Sequence, residues 1–319
     1  MPLVSVGKML ERARSVGYGV CYCEAWNLES LQAVVAAAEE VESPIITGFN
    51  GGFLIHAGRA QSEDLALYAS MGLAALRRSN IPVAFLLNET DNLAQIEEGI
   101  GLGFNAVMVE NEHLPLDEYR QLVKYVVRIA QSRNVWVEAQ VGTLPDGSGR
   151  SEAELTDPAT ARAFVEETGI DALGVAVGNT HILTTGKAPV DFDRLGKIHD
   201  KVKVPLVLHG GTGIPLELAQ SCIRWGVVKV NFGTVLKQAY LAATREKLVN
   251  YHEPMNPHPF LGMGGRDDVL VAGREAVKRK VKELLEAFGS AWKAQQLFEP
   301  HCQAASRMGE TLKNRGDRK

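Results

Sequence analysis

Three apolar segments in the second half of the chain each end in residues that could bind a metal or a phosphate. Ala172–Val177 is followed by GNTH, which ends at His181, and Pro205–Leu208 is followed by HGGTG, which begins at His209. Val227–Val230 is followed by NFGT. Imidazole nitrogens are common ligands of transition metals, and glycine-rich turns expose backbone N–H groups that bind anions. The pattern indicates a metal and a phosphate held at neighbouring strand ends.

His181 and His209 are the predicted metal ligands, because each directly follows a segment that should be a buried strand. A set of two histidines usually takes a carboxylate as its third ligand. Glu89 directly follows the apolar run PVAFLLN, at the end of the third predicted strand, and is the best candidate for that position. The alternative is that both histidines form hydrogen bonds at the rim without a metal.

Further carboxylates stand on other predicted strands. Glu24 and Glu110 end the first and the fourth strand, and Glu138 lies inside VWVEAQV in the fifth. Burying Glu138 is costly unless a cation or hydrogen bonds accompany it. We expect Glu24, Glu89 and Glu138 to be candidate proton carriers, with an ion pair to Arg or Lys as the alternative for each.

Glycines and hydroxyl-bearing residues after the seventh and eighth strands predict an anion cradle. Backbone N–H groups and threonine hydroxyls at such turns are hydrogen-bond donors to phosphate. The position after the last two strands is also where phosphate usually binds in a parallel barrel. The candidate substrate-binding residues here are Gly210, Gly211, Thr212, Asn231 and Thr234, with Lys187 as an additional one.

The chain positions these residues with eight short apolar segments that alternate with amphipathic ones. The predicted strands are Tyr18–Glu24, Pro44–Phe49, Pro82–Asn88, Ala106–Glu110, Val135–Gly142, Ala172–Gly178, Pro205–Gly210 and Val227–Gly233. The clearest predicted helices are Leu28–Val41, Asp64–Arg77, Leu93–Gly101, Leu116–Arg133 and Pro158–Thr168. Eight such units favour an α/β fold of the (β/α)8 TIM-barrel type, whose active site lies at the strands' C-terminal ends. No GxGxxG follows the first strand, so a dinucleotide site is not expected.

Two stretches interrupt the regular pattern. The loop after the fifth strand, LPDGSG from Leu144, is predicted to be mobile at the catalytic rim. A Pro/Gly-rich stretch begins at Tyr251 and precedes a last helix near Val271–Phe288. We therefore divide the chain into a barrel over residues 1–250, an insertion and C-terminal helix over 251–290, and a polar tail over 291–319. The middle part is expected to pack on the barrel or on a neighbouring subunit.

Composition excludes several classes of protein. The chain has 34 Lys and Arg against 38 Asp and Glu, a net charge of −4, which argues against nucleic acid or an anionic membrane as partner. Its four cysteines form no CxxC pair or disulfide framework. Neither a signal peptide nor an apolar span long enough to cross a membrane is evident, so the expected location is the cytoplasm.

On these residues the chain resembles the class II, metal-dependent ketose-bisphosphate aldolases, a family of fructose- and tagatose-bisphosphate aldolases. The similarity extends to about residue 290. It is most specific at Val207–Pro215 and at Lys229–Asn231, and it includes Gly17-Tyr18, Asn50-Gly51-Gly52 and Val137-Glu138-Ala139.

The resemblance implies a Zn²⁺ ion held by three histidines, which stabilises an enediolate of dihydroxyacetone phosphate. It also implies an aspartate that carries a proton at the C4 hydroxyl, a bound monovalent cation and a homodimer or homotetramer. His181 and His209 match two zinc ligands, and the glycine turns match the phosphate contacts. Arg274 is the expected residue that reaches a neighbouring subunit's site.

Several positions depart from the family pattern. Asn88-Glu89 replaces an Asp-His pair, so the proton-carrying aspartate is an amide and the third ligand is a carboxylate. Two histidines and a carboxylate suit Zn²⁺ but also Fe, Mn or Co. Glu24 stands where the family has asparagine, Ile182 replaces a glycine, and Gly233 replaces an acidic residue.

Three hypotheses remain open from the sequence. The first is a metal-dependent carbon–carbon lyase that acts on a ketose or sugar-acid phosphate, in which a carboxylate replaces the lost aspartate. The second is a metal-dependent isomerase or epimerase of a sugar phosphate, which needs only a proton removed beside a carbonyl group. The third is a non-catalytic binder of sugar phosphates. All three have a small sugar phosphate or related ketose as ligand.

Overall fold

A closed barrel of parallel strands forms the body of the protein in a computed structural model that describes residues 3–110, 114–145, 154–183 and 185–297. Within these residues the strands pair in chain order, and the eighth pairs with the first. The strands are β1 Val20–Glu24, β2 Ile45–Asn50, β3 Val83–Thr90, β4 Ala106–Val109, β5 Trp136–Val141, β6 Ala172–Val175, β7 Leu206–Leu208 and β8 Val227–Phe232. The predicted (β/α)8 barrel is confirmed.

Helices cover the outside of the barrel. They are α1 Val6–Val16, α2 Leu28–Glu40, α3 Gly51–Leu54, α4 Leu65–Leu76, α5 Leu93–Leu102, α6 Leu116–Gln131, α7 Pro158–Thr168, α8 Phe192–Lys201, α9 Ala219–Arg224, α10 Thr234–Leu248 and α11 Val269–Ala287. Asp157 caps α7 by accepting hydrogen bonds from the N–H groups of Ala159 and Thr160, and Gly169 ends it in a left-handed conformation. The predicted bounds of α7 are those observed, because both of its ends carry such local signals.

The interior of the barrel is apolar at its N-terminal end and polar at its C-terminal end. Tyr22, Ile46, Leu86 and Met108 form an apolar cluster inside the strands, together with residues of α1 that include Met9. Helix α1 therefore closes the N-terminal end. Farther along the same strands the buried side chains are polar or charged: Glu24, Asn50, Asn88, Glu138, His209, Lys229 and Asn231. Parallel strands place these C-terminal ends at one rim.

The C-terminal part packs on the first unit of the barrel. Helix α11 lies against α10 and α2, and Glu40 on α2 forms ion pairs with Lys278 and Lys282 on α11. Asp268 caps α11 and also accepts hydrogen bonds from two glycine N–H groups of the preceding stretch. The division of the chain at residues 250 and 290 stays a prediction, and so does packing on a neighbouring subunit.

Parts of the predicted loop and tail lie outside the described residues. Residues 146–153 of the loop after β5 are among these, although Thr143 and Glu154 on either side of it pair in an isolated antiparallel bridge. The tail is described to residue 297. Among the described residues, every helix is too short or too polar to span a bilayer.

Candidate active site

Glu89, His181 and His209 meet at the C-terminal rim of the barrel. A ligand atom of each lies within 4.8 Å of the ligand atoms of the other two. Glu89 Oε1 is 3.0 Å from His209 Nδ1 and 3.8 Å from His181 Nε2. Neighbouring ligands on one tetrahedral ion lie roughly 3.4 Å apart when each bond is about 2.0–2.1 Å long. The type and spacing of these three donors fit a divalent metal ion.

An irregularity in β3 turns Glu89 toward this cluster. Leu87 pairs with Val107 and Thr90 pairs with Val109, so β3 has one more residue than β4 between these pairs. Simple alternation would direct Glu89, like Leu87, to the outer face of the barrel. The additional residue and the positive φ of Glu89, 49°, redirect its side chain inward. β-Bulges that aim a side chain in this way are common beside active sites.

His209 is fully buried and bonded through both ring nitrogens. Nδ1 lies 3.0 Å from Glu89, and Nε2 lies 2.8 Å from Glu138 Oε1. The other oxygen of Glu138 is 2.8 Å from Lys229 Nζ. Lys229 in turn donates a hydrogen bond of 2.7 Å to Asn231 Oδ1. A histidine ligand of a metal usually donates its second N–H to a carboxylate, and Glu138 is placed to accept it.

Burial and ion pairing set the charges of this network. Burial lowers the pKa of His209, but its bonds to Glu138 and Glu89 outweigh that effect and raise the pKa to about 9. Burial would raise the pKa of Glu138, yet the ammonium of Lys229 and the His209 imidazole lower it. Burial lowers the pKa of Lys229 despite the opposing effect of Glu138. The lowered pKa of Glu138 favours its ionised form between Lys229 and His209.

Amides surround the carboxylate of Glu89. Asn50 donates a hydrogen bond of 2.6 Å to Glu89 Oε2, and the side chain of Asn88 also forms a hydrogen bond with Glu89. Asn88 is buried, and its Oδ1 has no hydrogen-bond partner among the described residues. Because buried polar atoms are normally satisfied, this oxygen is suited to a ligand or water.

The turns after β6 and β7 hold the two histidines beside each other. Asn179 is buried and donates hydrogen bonds to the carbonyl groups of Val175 and His209. Gly210 has a φ of 65°, and a Cβ there would lie 2.2 Å from the carbonyl oxygen of Thr180. Only glycine allows this approach. The ring centroids of His181 and His209 are 5.8 Å apart as a result.

The residues of the predicted anion cradle lie together. Gly211–Gly213 forms a short 3₁₀ helix, and α10 begins at Thr234 directly after β8. The hydroxyl of Thr212 accepts a hydrogen bond of 3.1 Å from the backbone N–H of Val235. The glycine turn is therefore fastened to the N-terminal turn of α10, where backbone N–H groups and the helix dipole favour an anion.

Glu24 ends β1, the neighbour of β8, and is paired with Lys237 of α10. A Cβ on Gly233 would be 2.3 Å from Glu24 Oε2. The Glu24 carboxylate thus occupies the volume that any larger residue at position 233 would need. Burial raises the pKa of Glu24, although Lys237 opposes that effect. Glu24 and Gly233, two of the departures noted in the sequence, therefore depend on each other: the carboxylate at position 24 fits because position 233 has no side chain.

Two predicted binding residues have other contacts. Lys187 lies next to Ala188, whose N–H bonds to the carbonyl of Gly213, but its ammonium pairs with exposed Glu217 at 3.0 Å. Arg274 lies on α11 and donates a hydrogen bond of 3.3 Å to Gln32 of α2. Their roles in binding substrate stay predictions.

Sequence reasoning missed Lys229, Lys237 and Asn50 as members of the site. A lysine between apolar residues in VVKVNF is the signal that would have identified Lys229, since a buried lysine requires a partner. Asn50 ends β2 at the same rim, as Glu24 ends β1. Lys237 carried no such signal, because one charged residue on an amphipathic helix is usually exposed.

Comparison with known proteins identifies the family. A family model described as "Fructose-bisphosphate aldolase class-II" matches residues 4–293. The chain belongs to this family. The resemblance stated from the sequence is confirmed, and it covers both the barrel and α11.

Solved structures of class II aldolases agree with this assignment. The YdjI aldolase from Escherichia coli K12 is 28% identical in sequence, with a TM-score of 0.75, and the match covers 92% of this chain and 100% of that one. A fructose-bisphosphate aldolase from Campylobacter jejuni shares the fold at 20% identity and a TM-score of 0.70, with coverage of 91% and 95%. The protein is an aldolase-like lyase, which was the first of the three hypotheses.

Proposed function

We propose that this class II aldolase-family lyase cleaves a carbon–carbon bond in a ketose or sugar-acid phosphate, with a divalent ion held by Glu89, His181 and His209. The observation that carries the proposal is the convergence of these three side chains, one of them redirected by a bulge and another oriented through a buried carboxylate. Such support for a histidine ligand is expected at a metal site and is not needed for packing.

Zinc is the proposed ion, and Mn, Fe or Co would also accept two imidazoles and a carboxylate. A bound divalent ion supplies Lewis acidity at a substrate carbonyl group. With the N–H at His209 Nε2 donated to Glu138, loss of the proton on Nδ1 would leave a lone pair there for the ion. Lys229 keeps Glu138 ionised and fixed in place. A monovalent cation near the glycine turns stays a prediction.

Phosphate is proposed to bind where the glycine turn meets the first turn of α10. Backbone N–H groups of Gly210, Gly211 and Thr212, together with the Thr234 hydroxyl, would serve as donors. Asn231 lies between this cradle and His209, with its amide nitrogen 3.2 Å from His209 Nδ1. It is placed to contact the ketose between its phosphate and its carbonyl group.

Glu24 is the proposed proton carrier of the cleavage step. Asn88 cannot take that role, because an amide does not titrate near neutral pH. The Glu24 carboxylate would take the proton from the hydroxyl group on the carbon that becomes the aldehyde. As the carbon–carbon bond breaks, its electron pair stays with the ketose fragment as an enediolate. A proton from water then adds to the enediolate carbon, and Glu24 returns its proton to water. Glu24 lines the same cavity as Asn50, which bonds Glu89.

The test combines metal analysis with a cleavage assay. Protein purified without added metal should contain about one divalent ion per chain, and chelation should abolish the release of triose phosphate from a ketose 1-phosphate. His209→Ala should lose both properties, whereas the matched control His252→Ala, at an exposed histidine, should keep both. Full cleavage by thoroughly chelated protein would refute the proposal.

The oligomeric state and the cellular location are also proposals. We propose a homodimer or homotetramer in the cytoplasm, with Arg274 extending toward a neighbouring site. Light scattering of the purified protein measures the subunit number directly.

A further inference from the structure

A cavity of about 560 Å³ opens beside the metal-ligand cluster at the ends of β1 and β2. Glu24 and Asn50 form its inner wall, and Asn50 bonds Glu89 directly. The residues that line it do not include the glycine turn Gly210–Gly213 after β7. If one fragment of the substrate is held by its phosphate at that turn, this cavity receives the other fragment.

Among the described residues, both lysine and arginine side chains that line the cavity already have a carboxylate partner. Lys237 is paired with Glu24, and its ammonium lies 4.5 Å from the centre of the Phe53 ring. Arg59 is paired with Glu63. The guanidinium of Arg59 also donates hydrogen bonds to the carbonyl groups of Phe53 and Gln61. The formal charges of these two pairs cancel.

The remaining lining is mostly apolar. It is composed of aromatic and aliphatic side chains, with few additional polar atoms: Ala25, Trp26, Phe49, Leu54, Tyr68, Tyr240 and Leu241, besides His56 and Gly58. His56 Nδ1 accepts a hydrogen bond from the N–H of Gly58, so this nitrogen is not a donor to a ligand. The polar groups facing the cavity therefore suit hydroxyl groups more than a multiply charged anion.

A phosphate dianion would bind poorly here. Its transfer from water is strongly unfavourable unless cations or N–H donors replace the lost hydration. The cradle after β7 and β8 offers such donors, whereas the described residues of the same subunit could supply a cation to this cavity only by breaking an existing ion pair. Uncharged hydroxyl groups can bond to Glu24, Asn50 or Lys237 without breaking either pair.

We infer that the aldehyde released by this lyase carries hydroxyl groups but no phosphate, so that its ketose substrate has one phosphate and not two. The inference rests on the proposed function and specifies the substrate class of that site. The inferred substrate, with one phosphate, differs from the bisphosphate named in the description of the family.

The direct test runs the reaction toward addition. Dihydroxyacetone phosphate is offered with racemic glyceraldehyde or with racemic glyceraldehyde 3-phosphate, and kcat/KM is measured for each aldehyde. We expect at least a tenfold preference for glyceraldehyde. Equal or better use of glyceraldehyde 3-phosphate would overturn the inference.

A second readout separates this inference from the proposed function. Exchange of a carbon-bound proton of dihydroxyacetone phosphate with deuterated water needs no aldehyde and reports the metal-dependent half of the reaction. Two combinations of results would overturn the inference alone. In both, proton exchange occurs, but the addition assay shows either a preference for the phosphorylated aldehyde or no addition to either aldehyde. Absence of exchange would overturn the proposed function and the inference with it.

A matched pair of variants tests the charge argument itself. Glu63→Gln frees Arg59 inside the cavity and should shift the ratio of the two kcat/KM values about tenfold toward the phosphorylated aldehyde. Asp193→Asn frees Lys197 from an exposed pair on α8 and should leave the ratio unchanged. An unchanged ratio in Glu63→Gln, with thermal denaturation showing a folded protein, would contradict the role of the neutralised cations.

Discussion

At the scale of single residues, the most demanding feature is the buried pair of Glu138 and Lys229. Both side chains are fully buried inside the barrel, and their nearest oxygen and nitrogen are 2.8 Å apart. The ammonium also lies 5.3 Å from the centre of the Tyr22 ring. A buried pair of this kind adds little net stability, but removing one partner leaves an uncompensated charge.

Lys229→Met is therefore expected to lower the free energy of unfolding by about 3–5 kcal/mol, measured by chemical denaturation at neutral pH. The double variant Glu138→Leu/Lys229→Met should recover most of that loss, because neither charge of the pair remains. Lys197→Met, which removes an exposed lysine, serves as the control. A stable single variant would show that Glu138 does not need the ammonium.

Single residues also mark the limit of sequence reasoning at the site. Glu138 was expected to require a cation because it stands in an apolar strand, but its partner on β8 could not be named without the register of the barrel. Ile182 shows the converse: it replaces a glycine yet keeps a positive φ of 49°. A positive φ at a β-branched residue strains the backbone of the turn that presents His181.

At the scale of elements, bulges in two strands and the cap of α11 are features that the regular βα pattern does not predict. β8 has an additional residue directly before Lys229, since Leu206 pairs with Val227 and Val207 pairs with Lys229. β3 likewise has an additional residue relative to β4, next to Glu89. Short apolar segments in the sequence located all eight strands, because buried parallel strands are apolar throughout, although most of the observed strands are shorter than predicted. They could not place the bulges, which depend on pairing between strands.

The start of α11 depends on one carboxylate. Burial would raise the pKa of Asp268, but hydrogen bonds from the N–H groups of Gly264, Leu270 and Gly262 outweigh it and lower the pKa. Asp268→Ala should reduce the free energy of unfolding by about 1–3 kcal/mol. Asp64→Ala, at a cap with one bonded N–H group, is the matched control and should cost less.

The same lowered pKa gives this effect a pH dependence. The unfolded chain takes up a proton at Asp268 near pH 3.9, and the folded protein does so only at lower pH. The contribution of Asp268 is thus complete above about pH 5 and is lost as the pH falls through the folded-state pKa. The stability difference between wild type and Asp268→Ala should shrink over that acidic range. A difference that is constant down to pH 3 would contradict the assignment.

At the scale of the whole molecule, the barrel divides its interior between stability and chemistry. The apolar end closed by α1 supplies packing, while the rim gathers polar groups from β1, β2, β3, β5, β7 and β8. This separation explains why fold and family could be predicted from strand count and strand-end motifs. The substrate depends on cavity walls contributed by α3, α4 and α10, which no short motif reports.

A metal ion that binds the folded protein but not the unfolded chain should raise the free energy of unfolding. At a free concentration of a hundred times its Kd, a divalent ion would raise the free energy of unfolding by about 2.7 kcal/mol. Thermal denaturation of chelated protein, before and after adding Zn²⁺, is expected to show a higher Tm with the ion. His181→Ala should reduce this shift and His252→Ala should preserve it. An equal shift in His181→Ala would place the ion elsewhere.

The bulge in β3 has an evolutionary consequence. Glu89 reaches the site only because the strand carries one residue beyond its partner, while the apolar residues before it keep the faces they would have in any barrel strand. Deletion of one residue at the bulge would therefore turn this side chain to the outer face and remove the ligand, while the preceding residues keep their faces. Counting substitutions among related barrels would not record that step.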